Sequence, residues 1–418
     1  MTSVTALPTH PHRPHPSPSR PAPSHRPALG RRGAFRLHAS ILVTLLAASS
    51  APTPLYALYQ SAWHFSALTL TVVFSTYALA LLLALLSTGR LSDHLGRRPV
   101  LAGALLAEAT AMALFTTAQS VPALIAARIL QGLATGVATS AAGAALLDFE
   151  DPDRPGRATL VNGITPVAGM AAGVLAATAL TQYAPAPTHT VYLLLLLLLT
   201  TQAAAVLRTP ETAHPHPGAR RSLRPTIALA PASRPAMTLA APGIIAAWAL
   251  GGFYSSLGPS LARLTAPHAT PATGGLVFLT LTATAGLAGH TARTLPARTV
   301  NLAGTTLLIP GALLTLSGPH LHSLPALFTG TAIAGAGFGA VTQGALRLLL
   351  PPAAPQERAG TLAAYYVLSY LAMSVPAILA GLLTDRYGLP SALLLYTATV
   401  VLLTLTGLTR ARRTPHPA

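Results

Sequence analysis

Two ionisable side chains, Glu108 and Arg128, lie inside long apolar stretches of this sequence. Glu108 stands in the middle of LAGALLAEATAMALF, and Arg128 begins RILQGLATG. A charged group at the centre of a membrane helix costs at least about 2.5–3.5 kcal/mol, so such residues usually serve a function. A carboxyl group that binds a proton in one state and releases it in another can couple a protein to a proton gradient. Glu108 and Arg128 are therefore the candidates for proton chemistry.

Each of these two residues also has a purely structural interpretation. Glu108 can be neutral and hydrogen-bonded to a neighbouring helix. Arg128 can hold two helices together by donating to backbone carbonyls, because its guanidinium carries five N–H groups. The sequence leaves both interpretations open.

A short charged turn interrupts two apolar stretches in LLSTGRLSDHLGRRPVLAGALL, residues 85–106. The residues that could do chemistry there are Gly89, Asp93, Gly96, Arg97 and Arg98. The two glycines lack a Cβ and allow close approach of helix ends, and Asp93 can pair with Arg97 or with a helix N-terminus. Arg97 could also reach Asp148, at the end of a later apolar stretch. The alternative is a turn whose arginines only fix membrane orientation, although such a turn would not need Asp93 or the glycines.

The composition indicates a membrane protein. Of 418 residues 51% are hydrophobic and only 8% are charged, whereas a soluble domain carries about 25% charged residues. A membrane helix needs roughly 20 apolar residues, and the apolar stretches are continuous and rich in Leu and Ala, without the alternation of a barrel strand. About twelve helical spans are predicted, at residues 38–59, 66–88, 99–118, 121–147, 158–182, 190–207, 239–261, 272–291, 299–317, 323–350, 359–383 and 389–409.

The basic residues predict the orientation. The net charge is +17, and all 26 basic residues counted as Lys or Arg are Arg. Apart from Arg128, only Arg263 and Arg386 fall outside the segments that are inside if both termini are cytoplasmic. This asymmetry follows the positive-inside rule, so the charge fixes topology and does not indicate nucleic-acid binding. The chain has no Cys, which excludes disulfides and thiolate metal sites.

The chain divides at a long hydrophilic segment in its middle. Residues 1–36 are rich in Pro, His and Arg and are predicted to be a disordered tail, in which His10, His12, His15 and His25 are not expected to form a metal site. We predict an N-terminal six-helix bundle at 37–207, a cytoplasmic linker at 208–238, a C-terminal six-helix bundle at 239–409 and a tail at 410–418. Two bundles of equal size indicate a duplicated architecture.

The turn and the Arg128 motif resemble a known family. The pattern Gly89-x-Leu91-x-Asp93-x-x-Gly96-Arg97-Arg98 resembles the signature loop of the major facilitator superfamily, and RILQGLATG resembles the fourth-helix motif of its proton-coupled members. The resemblance covers residues 38 to 409. It implies an all-α integral membrane fold of two six-helix bundles related by pseudo-twofold symmetry. In the family the signature loop touches the other half and holds one conformation. A copy expected between spans eight and nine keeps Gly289, Arg293 and Arg298 but lacks the acid.

Polar and aromatic side chains on the spans expected to line a central cavity form a further set of candidates. They are Tyr56, Tyr59, Gln131, Asn162, Trp248, Tyr254, Gln343, Tyr366 and Tyr370. Tyr366 and Tyr370 are four residues apart and share a helix face. Rings with a polar tip suit an amphipathic or aromatic solute. The alternative is that these residues anchor the protein at the membrane interfaces.

These observations predict a secondary transporter in the cell membrane that works by alternating access. The preferred activity is proton-coupled efflux of a small amphipathic compound, and the alternative is proton-linked or facilitated transport of a sugar or other metabolite. Without Lys there is no Walker-type loop, and no catalytic cluster is visible, so neither an ATP-driven pump nor an enzyme is expected. The expected partners are a small-molecule substrate, protons and lipid. No metal, cofactor or nucleic acid is expected, and the chain is predicted to be monomeric.

Overall fold

The computed structural model describes residues 29–213, 215–225 and 227–413, and every regular element among them is helical. Fourteen α-helices follow one another within that part of the chain. They are α1 Arg31–Ser50, α2 Pro52–Trp63, α3 Ala67–Thr88, α4 Leu91–Leu95, α5 Arg97–Thr117, α6 Val121–Asp148, α7 Arg157–Tyr183, α8 Pro187–Val206, α9 Ala219–Ser222, α10 Arg234–Thr265, α11 Pro271–Thr291, α12 Ala297–His320, α13 Leu324–Leu349 and α14 Arg358–Arg413. The expectation of an all-α membrane fold is confirmed for these residues.

Eleven of the helical segments in the described chain are long and apolar enough to cross a bilayer. One of them consists of α1 and α2, which are separated only by Ala51. Another is α14, whose 56 residues include both of the last two predicted spans. Gly388 breaks α14 with φ of 81°, a left-handed value that glycine adopts easily. The last two predicted spans are therefore two helices joined at Gly388, and the twelve predicted spans correspond to eleven helical segments.

The first helix begins earlier than the sequence analysis predicted. Residues 31–36, which were assigned to a disordered tail, form the first turns of α1, so that assignment is wrong for them. Ala34 and Phe35 are buried, and the guanidinium of Arg157 lies 5.3 Å from the Phe35 ring. Burial of these two side chains explains why the helix extends. The four histidines of the tail lie outside the described residues.

Two groups of helices make up the molecule. In the N-terminal half α1 packs against α6, α7 and α8, and α5 packs against α6 and α8. In the C-terminal half α10 packs against α11, α13 and α14, and α12 packs against α13. The halves meet mainly along two helix pairs, α3 with α14 and α7 with α11, and α2 and α3 also contact α10 while α2 contacts α11. We call the end of the molecule that carries residues 207–233 the linker end, and the other end the opposite end.

Close helix contacts depend on small residues. A Cβ atom on Gly132 of α6 would lie 2.4 Å from the carbonyl oxygen of Tyr77 on α3, which is closer than atoms can approach. Glycine at this position lets the two backbones touch, as small residues do in membrane helix pairs. Residue 132 follows Gln131 directly, so this contact fixes the position of the polar side chains on α6.

Candidate functional site

Arg128 on α6 is the centre of a buried polar network. Only 1% of the residue is exposed. Its Nε donates to the hydroxyl of Tyr56 at 3.0 Å, and its Nη1 donates to the carbonyl of Ser49 at 3.1 Å and to Oε1 of Gln131 at 2.6 Å. Its guanidinium also lies 5.2 Å from the ring centroid of Tyr77. Hydrogen bonds to a backbone carbonyl and to a neighbouring helix are the contacts expected of a residue that joins helices.

The break between α1 and α2 supplies acceptors to this network. Proline has no N–H, so Pro52 cannot donate to the carbonyl of Ala48 four residues earlier. A carbonyl left without a partner in the membrane is costly. Gln131 Nε2 donates to the carbonyl oxygen of Ala48 at 2.9 Å and fills the place of the missing helix donor. The proline and the glutamine therefore form one local arrangement across two helices.

Glu108 on α5 lies beside the same network and is completely buried. Its Oε2 accepts a hydrogen bond from Thr135 Oγ1 of α6 at 3.0 Å. Its Oε1 has no hydrogen-bond partner in the described part of the chain. Gln131 and Arg128 lie near enough to interact with the carboxyl group. Glu108 thus faces α6, and both proton-coupling candidates belong to one buried group.

Arg97 binds the charged turn at the linker end, residues 89–98, to its own half of the molecule. We call these residues the linker-end turn. Arg97 pairs with Asp93, donates to Ser92 Oγ at 2.8 Å, and donates from Nε to Asp148 Oδ2 at 3.1 Å. Gly96 has φ of 100°, which explains its need for glycine, whereas Gly89 has ordinary helical dihedrals. The structure therefore brings Arg97 to the acid that the sequence indicated.

A residue that the sequence patterns do not indicate holds this turn to the linker. Glu211 accepts hydrogen bonds from the backbone N–H groups of Arg97 at 2.7 Å and Arg98 at 3.0 Å. These are the first two residues of α5, so the carboxylate stabilises the positive end of that helix. Arg98 also donates to the carbonyl of Leu207. An acid shortly after α8 was the only signal, and its partner lies more than 100 residues away.

The opposite end carries a second copy of the turn, which the sequence analysis did not identify. Residues 89–96 read GRLSDHLG and residues 381–388 read GLLTDRYG, so both fit the pattern G-x-L-[S/T]-D-x-x-G. We call residues 381–388 the opposite-end turn. Its last glycine, Gly388, has a positive φ like Gly96. The copy was expected between α11 and α12, where the acid is missing.

The opposite-end turn contacts the other half of the molecule. Asp385 Oδ1 accepts from the N–H of Ala67 at 2.9 Å, and Oδ2 accepts from the N–H of Leu68 at 3.1 Å. These donors belong to the first turn of α3 and have no partner within their own helix. A Cβ atom on Gly381 would lie 2.2 Å from Thr71 Oγ1, so α14 and α3 are in close contact there. The two halves are joined at this end.

The cavity candidates separate into two groups. Tyr56 and Gln131 bind Arg128, and the Tyr59 hydroxyl donates to Tyr192 at 3.3 Å. Asn162 donates to the carbonyl of Gly143 at 3.1 Å, and the buried Tyr254 pairs with Thr315. These five side chains use their polar atoms between helices.

The other four candidates have a polar atom without a hydrogen-bond partner or a half-buried aromatic ring. Trp248 packs against Tyr370 with ring centroids 5.3 Å apart, and Tyr370 lies 6.1 Å from Tyr366. Trp248 Nε1 and Gln343 Oε1 have no hydrogen-bond partner among the described residues. Tyr370 also packs against Tyr77 and Leu81 of α3, in the other half. This aromatic group therefore faces the centre of the molecule.

Comparison with known proteins agrees with this architecture. The family model described as Major Facilitator Superfamily matches residues 39–286. No curated protein sequence matches this chain. The family match includes both the linker-end turn and Arg128.

Solved structures resemble the chain over most of its length. A bacterial homologue of the human lysosomal transporter Spinster, inward-facing and unoccupied, has a TM-score of 0.73 at 12% identity and covers 93% of this chain and 99% of its own. The nucleoside transporter NupG has a TM-score of 0.69 at 12% identity, covering 91% and 100%. The human organic anion transporter TETRAN has a TM-score of 0.65 at 19% identity, also covering 91% and 100%. Together with the family match, this shows that the chain belongs to the Major Facilitator Superfamily of membrane transporters.

Proposed function

We propose that this transporter exports a small amphipathic compound in exchange for protons, by alternating access. The observation that carries the proposal is Glu108, a fully buried carboxyl group with one oxygen unpartnered, next to the buried cation Arg128. Binding and release of a proton at Glu108 changes the net charge of this network, whereas Arg128 stays charged. A change of one charge inside a bilayer is large enough to favour one conformation over another.

Tyr77 connects the Glu108 and Arg128 network with the C-terminal half. Its ring lies under the guanidinium of Arg128, and its hydroxyl lies near Glu108. Tyr370 of α14 packs against the cluster that Tyr77 forms with Ala78 and Leu81. A change at Glu108 or Arg128 therefore acts on a side chain that touches both halves. We propose Tyr77 and Tyr370 as the coupling contact between proton binding and movement of the halves.

The moving units in this proposal are the bundles at 37–207 and 239–409, with the linker end in the cytoplasm. The opposite end is joined by Asp385 and Gly381, so this conformation corresponds to access from the linker end. Two of the similar structures are also inward-facing. In the other conformation the linker-end turn, with Gly89, Asp93, Gly96, Arg97, Arg98 and Asp148, would hold the cytoplasmic side closed. Export is favoured over uptake only by the spaced Pro166, Gly169 and Gly173 in α7, a pattern similar to exporters of the family.

The experiment compares accumulation of a compound panel in drug-hypersensitive cells with and without the protein, and with and without an uncoupler. We expect lower accumulation with the wild-type protein and loss of that difference after uncoupling. Glu108→Gln should lose uphill export but keep substrate exchange across a membrane without a gradient. Glu357→Gln, in an exposed loop, is the matched control. Full uphill export by Glu108→Gln would remove the proton role of Glu108, and higher accumulation with the protein would contradict export.

A further inference from the structure

An unusual group of buried polar atoms lies in the C-terminal half. The indole Nε1 of Trp248, the hydroxyls of Thr342 and Tyr365, and the hydroxyl of Ser369 all lack a hydrogen-bond partner among the described residues. They come from three helices, α10, α13 and α14. The Tyr365 hydroxyl lies close enough to interact with the other three, although none of these contacts has the geometry of a hydrogen bond, so they form one group, which we call the unpaired polar cluster. Gln343, next to Thr342, adds a fifth unpaired atom.

Buried polar atoms without partners are rare in folded proteins because they lose their hydrogen bonds to water. Four such atoms in one place therefore require an explanation. In the N-terminal half the corresponding polar atoms of Arg128, Tyr56 and Gln131 are hydrogen-bonded to each other or to backbone, and the unpaired atom beside them is Oε1 of Glu108, the proposed proton site. The unpaired polar cluster differs in having capacity left for a ligand.

Aromatic rings border this cluster. The Trp248 ring lies 5.5 Å from Phe338 and 5.3 Å from Tyr370, and Tyr366 lies 5.5 Å from Tyr365. Trp248, Phe338, Tyr366 and Tyr370 are only half-buried, so they offer accessible ring surface in front of the buried hydroxyls. Flat rings bind well against such surfaces.

The charge of the ligand follows from the sequence of the surrounding spans. Residues 235–262, 271–289, 299–319, 324–346, 359–384 and 389–409 contain no Asp, Glu, Lys, Arg or His. A charged ligand placed among them would lose its hydration without gaining an opposite charge. A quaternary ammonium could bind the rings, but it could not accept the indole N–H, which only donates.

From these observations we infer that the unpaired polar cluster, with the rings of Trp248 and Tyr370, is the substrate site for an uncharged flat-ring molecule that bears a hydrogen-bond acceptor. This rests on the proposed function in so far as the bound molecule is the transported one. The acceptor takes the N–H of Trp248, and the three hydroxyls can donate to or accept from the remaining polar groups. The site lies beside Tyr370, which contacts Tyr77 and through it the Arg128 network.

Three probes of equal shape test the inference: 4-fluorobenzamide, 4-fluorobenzoate and 4-fluorobenzamidine, which are neutral, anionic and cationic. Binding to the purified full-length protein in lipid nanodiscs is followed by fluorine NMR of the probe. We expect saturable binding of the benzamide, weaker by about tenfold or more for both charged probes. Stronger binding of either charged probe, or no saturable binding of the benzamide, would overturn the assignment.

Variants separate a ligand site from a structural cluster. Tyr365→Phe removes one unpaired hydroxyl, so we expect benzamide binding to weaken about fivefold, the effect of one hydrogen bond, while the melting temperature stays equal or rises. If the polar atoms of the cluster instead form hydrogen bonds with one another, the same variant would leave the Trp248 N–H without an acceptor. The melting temperature would then fall without a specific loss of benzamide binding. That second result would refute the inference. Tyr183→Phe, 84% exposed at the end of α7, is the matched control.

The binding test of the unpaired polar cluster does not depend on proton coupling. Benzamide binding is measured without a gradient, and Glu108→Gln should bind the probe as the wild-type protein does. If Glu108→Gln exports normally but the benzamide binds as expected, the proton proposal fails and the site stands. If the benzamide does not bind while export remains proton-dependent, the substrate site fails and the coupling proposal stands.

Discussion

The linker-end turn and the opposite-end turn have the same sequence pattern and the same left-handed glycine, yet their acids are used differently. Asp93 pairs with Arg97 of its own turn, and Arg97 also binds Asp148 of the same half. Asp385 accepts two backbone N–H groups of α3 across the boundary between the halves. One motif thus serves an internal contact at one end and a joining contact at the other. We infer that the pair reports the conformational state, since only the closed end uses its acid across the boundary.

The largest effect is expected from a steric block of the opposite-end turn. Gly381→Val places side-chain atoms where Thr71 Oγ1 and the Ala67 carbonyl now lie, at 2.2 and 2.9 Å from a Cβ. Overpacking of this kind costs about 1–3 kcal/mol, a shift of roughly 5- to 150-fold against the closed opposite end. Spin labels on Ser61→Cys and His268→Cys, in a chain without native Cys, measure the distance across this end. Gly163→Ala, where a Cβ meets nothing within 4 Å, is the control.

That distance should lengthen in Gly381→Val and transport should fall, while insertion into the membrane stays normal. An unchanged distance distribution would mean that the opposite-end turn does not limit closure.

A smaller effect is expected when the acid of the opposite-end turn is removed. Asp385→Ala leaves the N–H groups of Ala67 and Leu68 without their acceptor. Loss of a helix N-terminal cap costs about 1 kcal/mol, which is roughly a fivefold change in the population of the closed state. The same spin-label pair measures it, with Asp153→Asn as an exposed control. Equal populations in Asp385→Ala and wild type would contradict the joining role.

Removal of the acid of the linker-end turn, Asp93, should change the turnover rate more than the population of the closed opposite end. Asp93→Asn removes an ion pair with Arg97 that is partly exposed, and such pairs contribute about 0–1 kcal/mol. We expect slower turnover, by no more than about fivefold, with the label distance at the opposite end unchanged. Normal turnover in this variant would refute a latch at the linker end.

The smallest effect is expected at the linker contact. Glu211→Gln keeps one acceptor for the N–H groups of Arg97 and Arg98 but loses the charge that favours the start of α5. An exposed charge near a helix N-terminus contributes about 0.3–1 kcal/mol. The melting temperature should fall slightly and turnover should not change. A strong loss of transport would mean that the linker takes part in gating.

Much of the site could be predicted because the residues that form it are close together in the sequence or differ clearly from their neighbours. Asp93, Arg97 and Gly96 lie within one turn, and Glu108 is conspicuous because its neighbours are apolar. Partners distant in sequence could not be predicted in this way. Helix periodicity does not reveal that Tyr56 binds Arg128, so Tyr56 was assigned to a cavity.

Asp385 illustrates a different reason for a missed residue. The pattern G-x-L-[S/T]-D-x-x-G around Asp385 is visible in the sequence. A simple duplication of the N-terminal half, however, predicts the second turn between α11 and α12. The backbone shows the likeness directly, since Gly96 and Gly388 share a left-handed conformation. Trp248 and Gln343 were predicted as cavity residues, but only the structure shows that their polar atoms are unpaired.

At Ala51, where α1 passes into α2, the backbone keeps helical dihedrals (φ −55°, ψ −36°), and Pro52 removes one hydrogen bond of the helix. Arg128 bridges this point, because it donates to the Ser49 carbonyl in α1 and to the Tyr56 hydroxyl in α2. We therefore propose that a displacement of the guanidinium changes the angle between α1 and α2. Under the proposed coupling, protonation of Glu108 would change the orientation of α2, which packs against α7 in its own half and against α10 and α11 in the other half.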